Sequence, residues 1–160
     1  MSDPVSDGTA AQRTLFRRWP AGVSVVVAEA GGRRAGLTVS SLISLSLRPP
    51  LVAIALSRSA SLYEVLREAG EWGVSILAGD QEWLARHFAR NVPPIALWQG
   101  VPIRGDDPRL LEGAAGWLSA RTTAELDAGD HALFLGELAA AQPGPGRGSL
   151  VYLDRRYLVV

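Results

Sequence analysis

The sequence predicts a mainly β fold: a closed or partly closed antiparallel barrel with a few short accessory helices. Three observations lead there. Alternating and β-branched apolar runs outnumber helical patterns, turn pairs join several of them at hairpin spacing, and strands do not alternate regularly with helices as in a βαβ chain. The 160 residues suit one domain over 1–160, with a loose start over 1–8, and 48% hydrophobic residues including five Trp can fill its core.

Taken in order, residues Thr9 to Trp19 read as a helix with Leu15, Phe16 and Trp19 on one side, stopped by Pro20. The run Gly22 to Ala28 is a strand that turns at Gly31-Gly32 into a return strand over Ala35 to Val39. Ser41 to Leu47 is mostly alternating, Pro49-Pro50 breaks it, and Leu51 to Leu56 is a buried strand. Ser59 or Ser61 would cap a helix carrying Leu62, Val65 and Leu66, and Trp72 to Leu77 is a further strand. Asp80 would cap a helix holding Trp83, Leu84, His87 and Phe88. Asn91 to Pro108, rich in Pro, reads as a mobile connection or a surface excursion. Trp117 to Leu126 and His131 to Ala139 form a hairpin through Asp127 to Asp130. Gln142 to Gly148 is a loop without core material, and Leu150 to Leu153 and Tyr157 to Val160 close around Asp154-Arg155.

Composition excludes several functions. Sixteen basic against sixteen acidic residues give a formal charge of zero, without the positive field of a non-specific nucleic-acid binder. With no cysteine there is no disulfide, thiolate catalyst or thiolate metal site. No apolar run approaches the roughly 20 residues that span a bilayer, and the first residues lack a signal pattern, so a cytoplasmic protein is expected. His87 and His131 are the only imidazoles and lie far apart in sequence, so no metal site is expected. Neither a GxxxxGK loop nor a Gly-x-Gly-x-x-Gly between strand and helix occurs.

Two hydroxyl clusters remain as candidate sites. Thr38, Val39, Ser40 and Ser41 stand at a strand end, where hydroxyls and free amides can hold a phosphate; serines lining a solvated strand face would look the same. Ser57, Arg58 and Ser59 follow a buried strand at a helix start, where amides, hydroxyls and a guanidinium could meet an anion; plain helix capping would also use these serines.

The ordered set is more specific than either cluster. Trp19-Pro20-Ala21-Gly22-Val23, Gly36 to Ser41, and Ser46 to Val52 are followed by Ser57 to Ser59, Asp80 to Arg86 and Gly129 to Glu137, then Leu150-Val151-Tyr152 and Arg156-Tyr157. In this order they resemble the flavin reductase-like family, whose fold is an antiparallel Greek-key split β-barrel that binds FMN. The resemblance covers nearly the whole chain apart from the N-terminal tail and the Pro-rich connection. It implies an NAD(P)H-dependent flavin reductase that takes FMN or FAD with NADH or NADPH as co-substrate. It further implies a homodimer that supplies reduced flavin to a partner monooxygenase.

Carried over by position, Thr38, Val39, Ser40 and Ser41 would contact the ribityl chain and phosphate, and Ser57, Arg58 and Ser59 would complete the hold on the phosphate end. Pro20 and Ala21 would lie near the isoalloxazine. His131 would be the catalytic-site residue near the docked nicotinamide, although a histidine at a hairpin start that pairs only with backbone would look alike. His87 reads as structural, and Trp72, Trp83 and Trp117 as core or dimer contacts. Ala21 departs from the family's usual hydroxyl residue, Leu37 from a common Met, and Ser119 from a frequent Cys. The cofactor supplies the electronics of hydride transfer, so a chain without an obvious acid pair can still be an enzyme. An FMN-binding electron carrier or redox sensor, and an interaction domain without cofactor, are the alternative readings.

Overall fold

Strand β2 (Ser24–Ala30) is apolar on both faces because it runs between two cores. Val26 and Ala28 face the larger core with Ile54, Leu56, Leu66, Trp72 and Phe134. Val25 and Val27 face a second core with Leu77, Leu84, Phe88, Leu97, Leu111 and Leu150. The computed structural model describes residues 4–90 and 94–160.

The strands are β1 (Ala21–Gly22), β3 (Arg33–Val39), β4 (Ile43–Leu47), β5 (Pro50–Ser57), β6 (Glu71–Ile76), β7 (Gly116–Ala128), β8 (His131–Pro143), β9 (Leu150–Leu153) and β10 (Arg156–Val159). Seven strands form one antiparallel sheet in the order β3-β2-β6-β7-β8-β5-β4, which curls so that β3 lies against β5. A small sheet, β1-β9-β10, is joined to it by backbone bonds among Val23, Leu77 and Leu150. Val23 N–H donates to Leu150 O, Leu77 N–H to Val23 O, and Leu150 N–H to Leu77 O, each at 3.0 Å. The expected mainly β barrel with short helices is the fold found.

The helices are α1 (Pro4–Phe16), α2 (Ser61–Ala69), α3 (Glu82–Phe88) and α4 (Pro94–Leu97). Helix α2 lays Leu62, Tyr63, Val65 and Leu66 on the larger core, as its spacing predicts. Its N-cap is Ala60, not Ser59 or Ser61, and no side chain caps it. The N-cap of α3 is Gln81 rather than Asp80; the Gln81 carboxamide instead accepts from Ala78 N–H and donates to Glu112 O, tying the strand exit to a distant loop. Residues 1–3 of the expected loose start lie outside the described residues, but α1 already begins at Pro4. Among the described residues, no helix is long and apolar enough to cross a membrane.

The Pro-rich connection differs most from expectation. Residues 91–93 lie outside the described residues, but beyond them Leu97, Val101, Leu110 and Leu111 are buried, and Ile103 bridges to Leu111. Trp98 donates its indole N–H to Arg34 O and meets Phe88 edge-on at 5.3 Å. The segment is therefore a packed cover for the second core, although its composition resembles that of a loop.

This cover requires Gly36. A Cβ there would stand 2.8 Å from Phe88 Cε1 and 3.3 Å from Trp98. Gly36→Ala should therefore destabilise the fold by about 1–3 kcal/mol, seen as a lower urea midpoint with an unchanged slope.

Candidate functional site

The Ser41 hydroxyl fixes the site. It lies between β3 and β4, donates to Ala55 O and accepts from Ala55 N–H, both at 3.0 Å. The 38–41 segment is thereby pinned onto β5, two residues before Ser57, or roughly 7 Å along the strand. In the β5–β8 ladder Ala55 stands opposite Leu133 and Ser57 opposite His131. Thr38 is held from the other side, its hydroxyl donating to Ala85 O at 2.7 Å. Val39 is buried and ends its pairing opposite Ser24. The backbone N–H groups of Ser40, Ser41 and Leu42 lie outside the strands and have no acceptor among the described residues. Ser40 is exposed and its hydroxyl has no protein partner among them. Three successive free amides beside the free Ser40 hydroxyl form a cradle suited to a phosphate.

The second cluster faces this cradle along β5. Ser57 and Ser59 share a hydrogen bond between hydroxyls at 2.9 Å, and Ala60 N–H donates to Ser57 O, forming a tight turn. Arg58 N–H donates to Asp130 O, which ties that turn to the β7–β8 hairpin. The Arg58 guanidinium does not stand free: it donates to Tyr63 Oη at 2.8 Å and pairs with Asp127. Tyr63 in turn donates to Glu125 Oε1 at 2.7 Å, and Arg67 Nε donates to Glu125 Oε2 at 2.9 Å. Sequence reasoning missed Tyr63 and Glu125 as supports of the site. The visible trace was one phenol on the buried face of α2 and one carboxylate in β7.

His131 is half-exposed at the start of β8, and its Nδ1–H donates to the Asp130 carboxylate at 2.7 Å, leaving Nε2 available. That hydrogen bond holds the Asp130 carboxyl below its ordinary value. Pro20 is exposed, and Ala21 pairs with Tyr152 in the small sheet. Ala21 and Ser40 line one side of a cavity of about 520 Å³. The structure thus brings Ser41, Ser57 and His131 together around the end of β5, with Ser40 and Ser59 as chain neighbours, while Pro20 and Ala21 approach through Ser40. His87 donates to Leu97 O at 2.6 Å and packs edge-on against Phe88, a contact that secures α4. Trp72 and Trp117 are buried, whereas Trp83 is half-exposed.

Residues 16–160 match the model of the flavin reductase like domain. The chain belongs to this family. The 4-hydroxyphenylacetate 3-monooxygenase reductase component of Thermus thermophilus is 38% identical over 146 residues, covering 91% of this chain and 92% of that protein. The NADH-dependent FAD reductase of Streptomyces globisporus is 33% identical over 150 residues, covering 91% and 82%. Among solved structures, the Streptomyces globisporus C-1027 NADH:FAD oxidoreductase in complex with NAD and FAD fragments superposes with a TM-score of 0.86 at 30% identity, covering 99% of this chain and 94% of that one. The flavin reductase component of a bacterial two-component tryptophan halogenase gives 0.83 at 30% identity, covering 95% and 98%.

The Tyr63 hydrogen bond, with support from Arg67, holds the Glu125 carboxyl below its ordinary value, and the bond to Glu125 raises the Tyr63 phenol. A depressed carboxyl stabilises the fold above its unfolded value, and that stabilisation is lost as pH falls through the folded value. Glu125→Gln should therefore be less stable than wild type at neutral pH, with the two converging as pH drops below the ordinary glutamate range. Denaturant midpoints measured across that range check it.

Proposed function

We propose that this protein is an NAD(P)H-dependent flavin reductase that provides reduced flavin to a partner monooxygenase. The supporting observation is the Ser41–Ala55 clasp, which sets a cradle of free amides beside the Ser57–Ser59 hydroxyl pair and His131. The donor set fits a flavin phosphate: hydroxyls and amides are neutral, strongly directional anion ligands, and Ser40 is free to rotate toward one. The NADH-dependent FAD reductase of Streptomyces globisporus and the NADH-dependent flavin reductase of a Rhodococcus species favour NADH as donor.

Bound flavin supplies the ring that accepts hydride from the nicotinamide. The chain orients the reactants. Ser40 and the amides of residues 40–42 hold the phosphate end, together with the hydroxyls of Ser57 and Ser59. Thr38 and Ser41 act through the backbone positions they fix, since both hydroxyls are already engaged. Arg58 braces the 57–60 turn through Tyr63 and Asp127. Pro20 and Ala21 border the ring. His131, steadied by Asp130, presents Nε2 toward the incoming nicotinamide nucleotide.

The working unit is a homodimer. Along β4, Ile43, Leu45 and Leu47 are 49%, 47% and 85% exposed, and Leu15 and Phe16 at the end of α1 are exposed together with Trp19 just beyond it. A monomer leaves this apolar surface in water, and a second copy would cover it. Leu45→Glu should shift a dimer to monomer in sedimentation velocity; a wild-type monomer would remove this part of the proposal.

Oxidation of NADH or NADPH, followed with and without added FMN or FAD, tests the activity. Turnover should rise with added flavin. The Ser57→Ala, Ser59→Ala double variant should weaken flavin binding by about tenfold, the scale of a charge-assisted hydrogen bond. His131→Asn should raise KM for NADH and leave flavin affinity unchanged. Flavin affinity that is indifferent to the double variant would overturn the phosphate assignment.

A further inference from the structure

The tip of the β7–β8 hairpin stands out in water. Leu126 is half-exposed, the side chains of Asp127 and Asp130 are 94% and 93% exposed, and Gly129 turns the chain with φ of 67°. His131 follows directly. Among the described residues, the hydrogen bonds and ion pairs that tie residues 126–130 to the chain outside the hairpin all end on Arg58. Its backbone N–H donates to Asp130 O at 3.1 Å, and its guanidinium pairs with Asp127.

Arg58 is also the centre of the turn whose flanking hydroxyls, Ser57 and Ser59, are assigned to the flavin phosphate. Its side chain is steadied by Tyr63, whose Oη accepts from Nη1 at 2.8 Å and whose ring centre lies 5.7 Å from the guanidinium. The phenol gives its proton to Glu125, so toward Arg58 it acts as an acceptor. Arg67 holds the second oxygen of that carboxylate. The guanidinium is therefore already aimed at Asp127, which spares the pair part of the side-chain entropy that such a contact costs.

The flavin end and the nicotinamide end of the site thus meet in one residue. We propose that Arg58 is a positioning residue that makes nicotinamide binding depend on the flavin phosphate. The inference rests on the flavin reductase reading and adds a coupling between its two ligands. A phosphate on Ser57 and Ser59 fixes the 57–60 turn, Arg58 passes that constraint to the hairpin tip, and the tip sets the Asp130–His131 pair. An exposed ion pair is weak by itself, so the tip opens readily when no ligand holds the turn. A first ligand that orders the tip lowers the entropy cost of binding the second. The coupling is reciprocal: a bound nicotinamide nucleotide tightens flavin binding by the same factor.

Riboflavin has the ring of FMN without its phosphate, and NAD+ does not react with an oxidised flavin. Calorimetric titration of NAD+ into protein saturated with FMN or with riboflavin therefore isolates the contribution of the phosphate. Wild type should bind NAD+ about three- to fivefold more tightly with FMN. Hydrogen exchange at residues 126–131 should slow when FMN binds, and slow less with riboflavin. Asp127→Ala should melt as wild type does and bind FMN alone within about twofold of it, yet lose the difference between the flavins. It should also raise KM for NADH by about threefold with kcat little changed, whereas Asp127→Glu should keep both near wild type. Arg58→Gln should behave as Asp127→Ala does. Arg121→Gln, which breaks a surface ion pair with Glu71 farther along β7, should keep the difference.

Equal NAD+ affinity with the two flavins in wild type would overturn the proposal and leave the reductase reading intact. So would an Asp127→Ala protein that keeps the wild-type difference. An Arg58→Gln protein that loses about tenfold in affinity for FMN alone, while Asp127→Ala does not, would make Arg58 a direct phosphate ligand and also overturn it. Absence of binding by either flavin would defeat the underlying reductase reading and the coupling with it.

Discussion

One side-chain hydroxyl sets the geometry on which the site depends. By bonding both the amide and the carbonyl of Ala55, Ser41 makes the β3–β4 connection behave as an added ladder rung on β5. The register of β5 with β8 then does the rest, because Ser57 must face His131 once Ala55 faces Leu133. A loop free to move would leave its amides solvated. Held in place, they keep a fixed direction, which suits neutral dipoles to the phosphate proposed for them in a chain of zero net charge.

Around this clasp the protein supplies positioning and little acid–base chemistry. The residues along the edge are hydroxyls, amides and one half-exposed imidazole. The ionic network of Arg58, Tyr63, Glu125 and Arg67 sits one step behind, bracing the turn that carries Ser57 and Ser59. This division suits a reaction whose electronic demands are met by two nucleotides. The protein must bring flat rings together and hold their charged tails apart.

Much of the fold was legible locally. Gly31-Gly32 and Asp154-Arg155 marked hairpins, and the β-branched run before Gly31 marked a strand, because turn chemistry and alternation act over a few residues. The serine-rich segments were legible as candidates, but their separate roles were not. Ser41 spends its hydroxyl on Ala55 and Ser40 keeps its own free, a difference decided by long-range packing. The sequence offered Arg58 as a phosphate ligand but did not show that its guanidinium also bonds Tyr63 and Asp127, five and 69 residues away. The Pro-rich connection misled for the same reason: Leu97, Val101 and Leu111 are buried by contacts with α3 and β2 that no local pattern records. The N-caps failed more simply, since backbone geometry placed them one residue from the side chains that usually serve.

The absence of cysteine acquires a different meaning in this setting. Reduced flavin that meets dioxygen yields peroxide, and thiols and thioethers are the side chains peroxide attacks most readily. This chain has no thiol and a single methionine, Met1. Its two most enclosed indoles, Trp72 and Trp117, are sealed in the cores. The framework therefore offers peroxide almost no sulfur to oxidise.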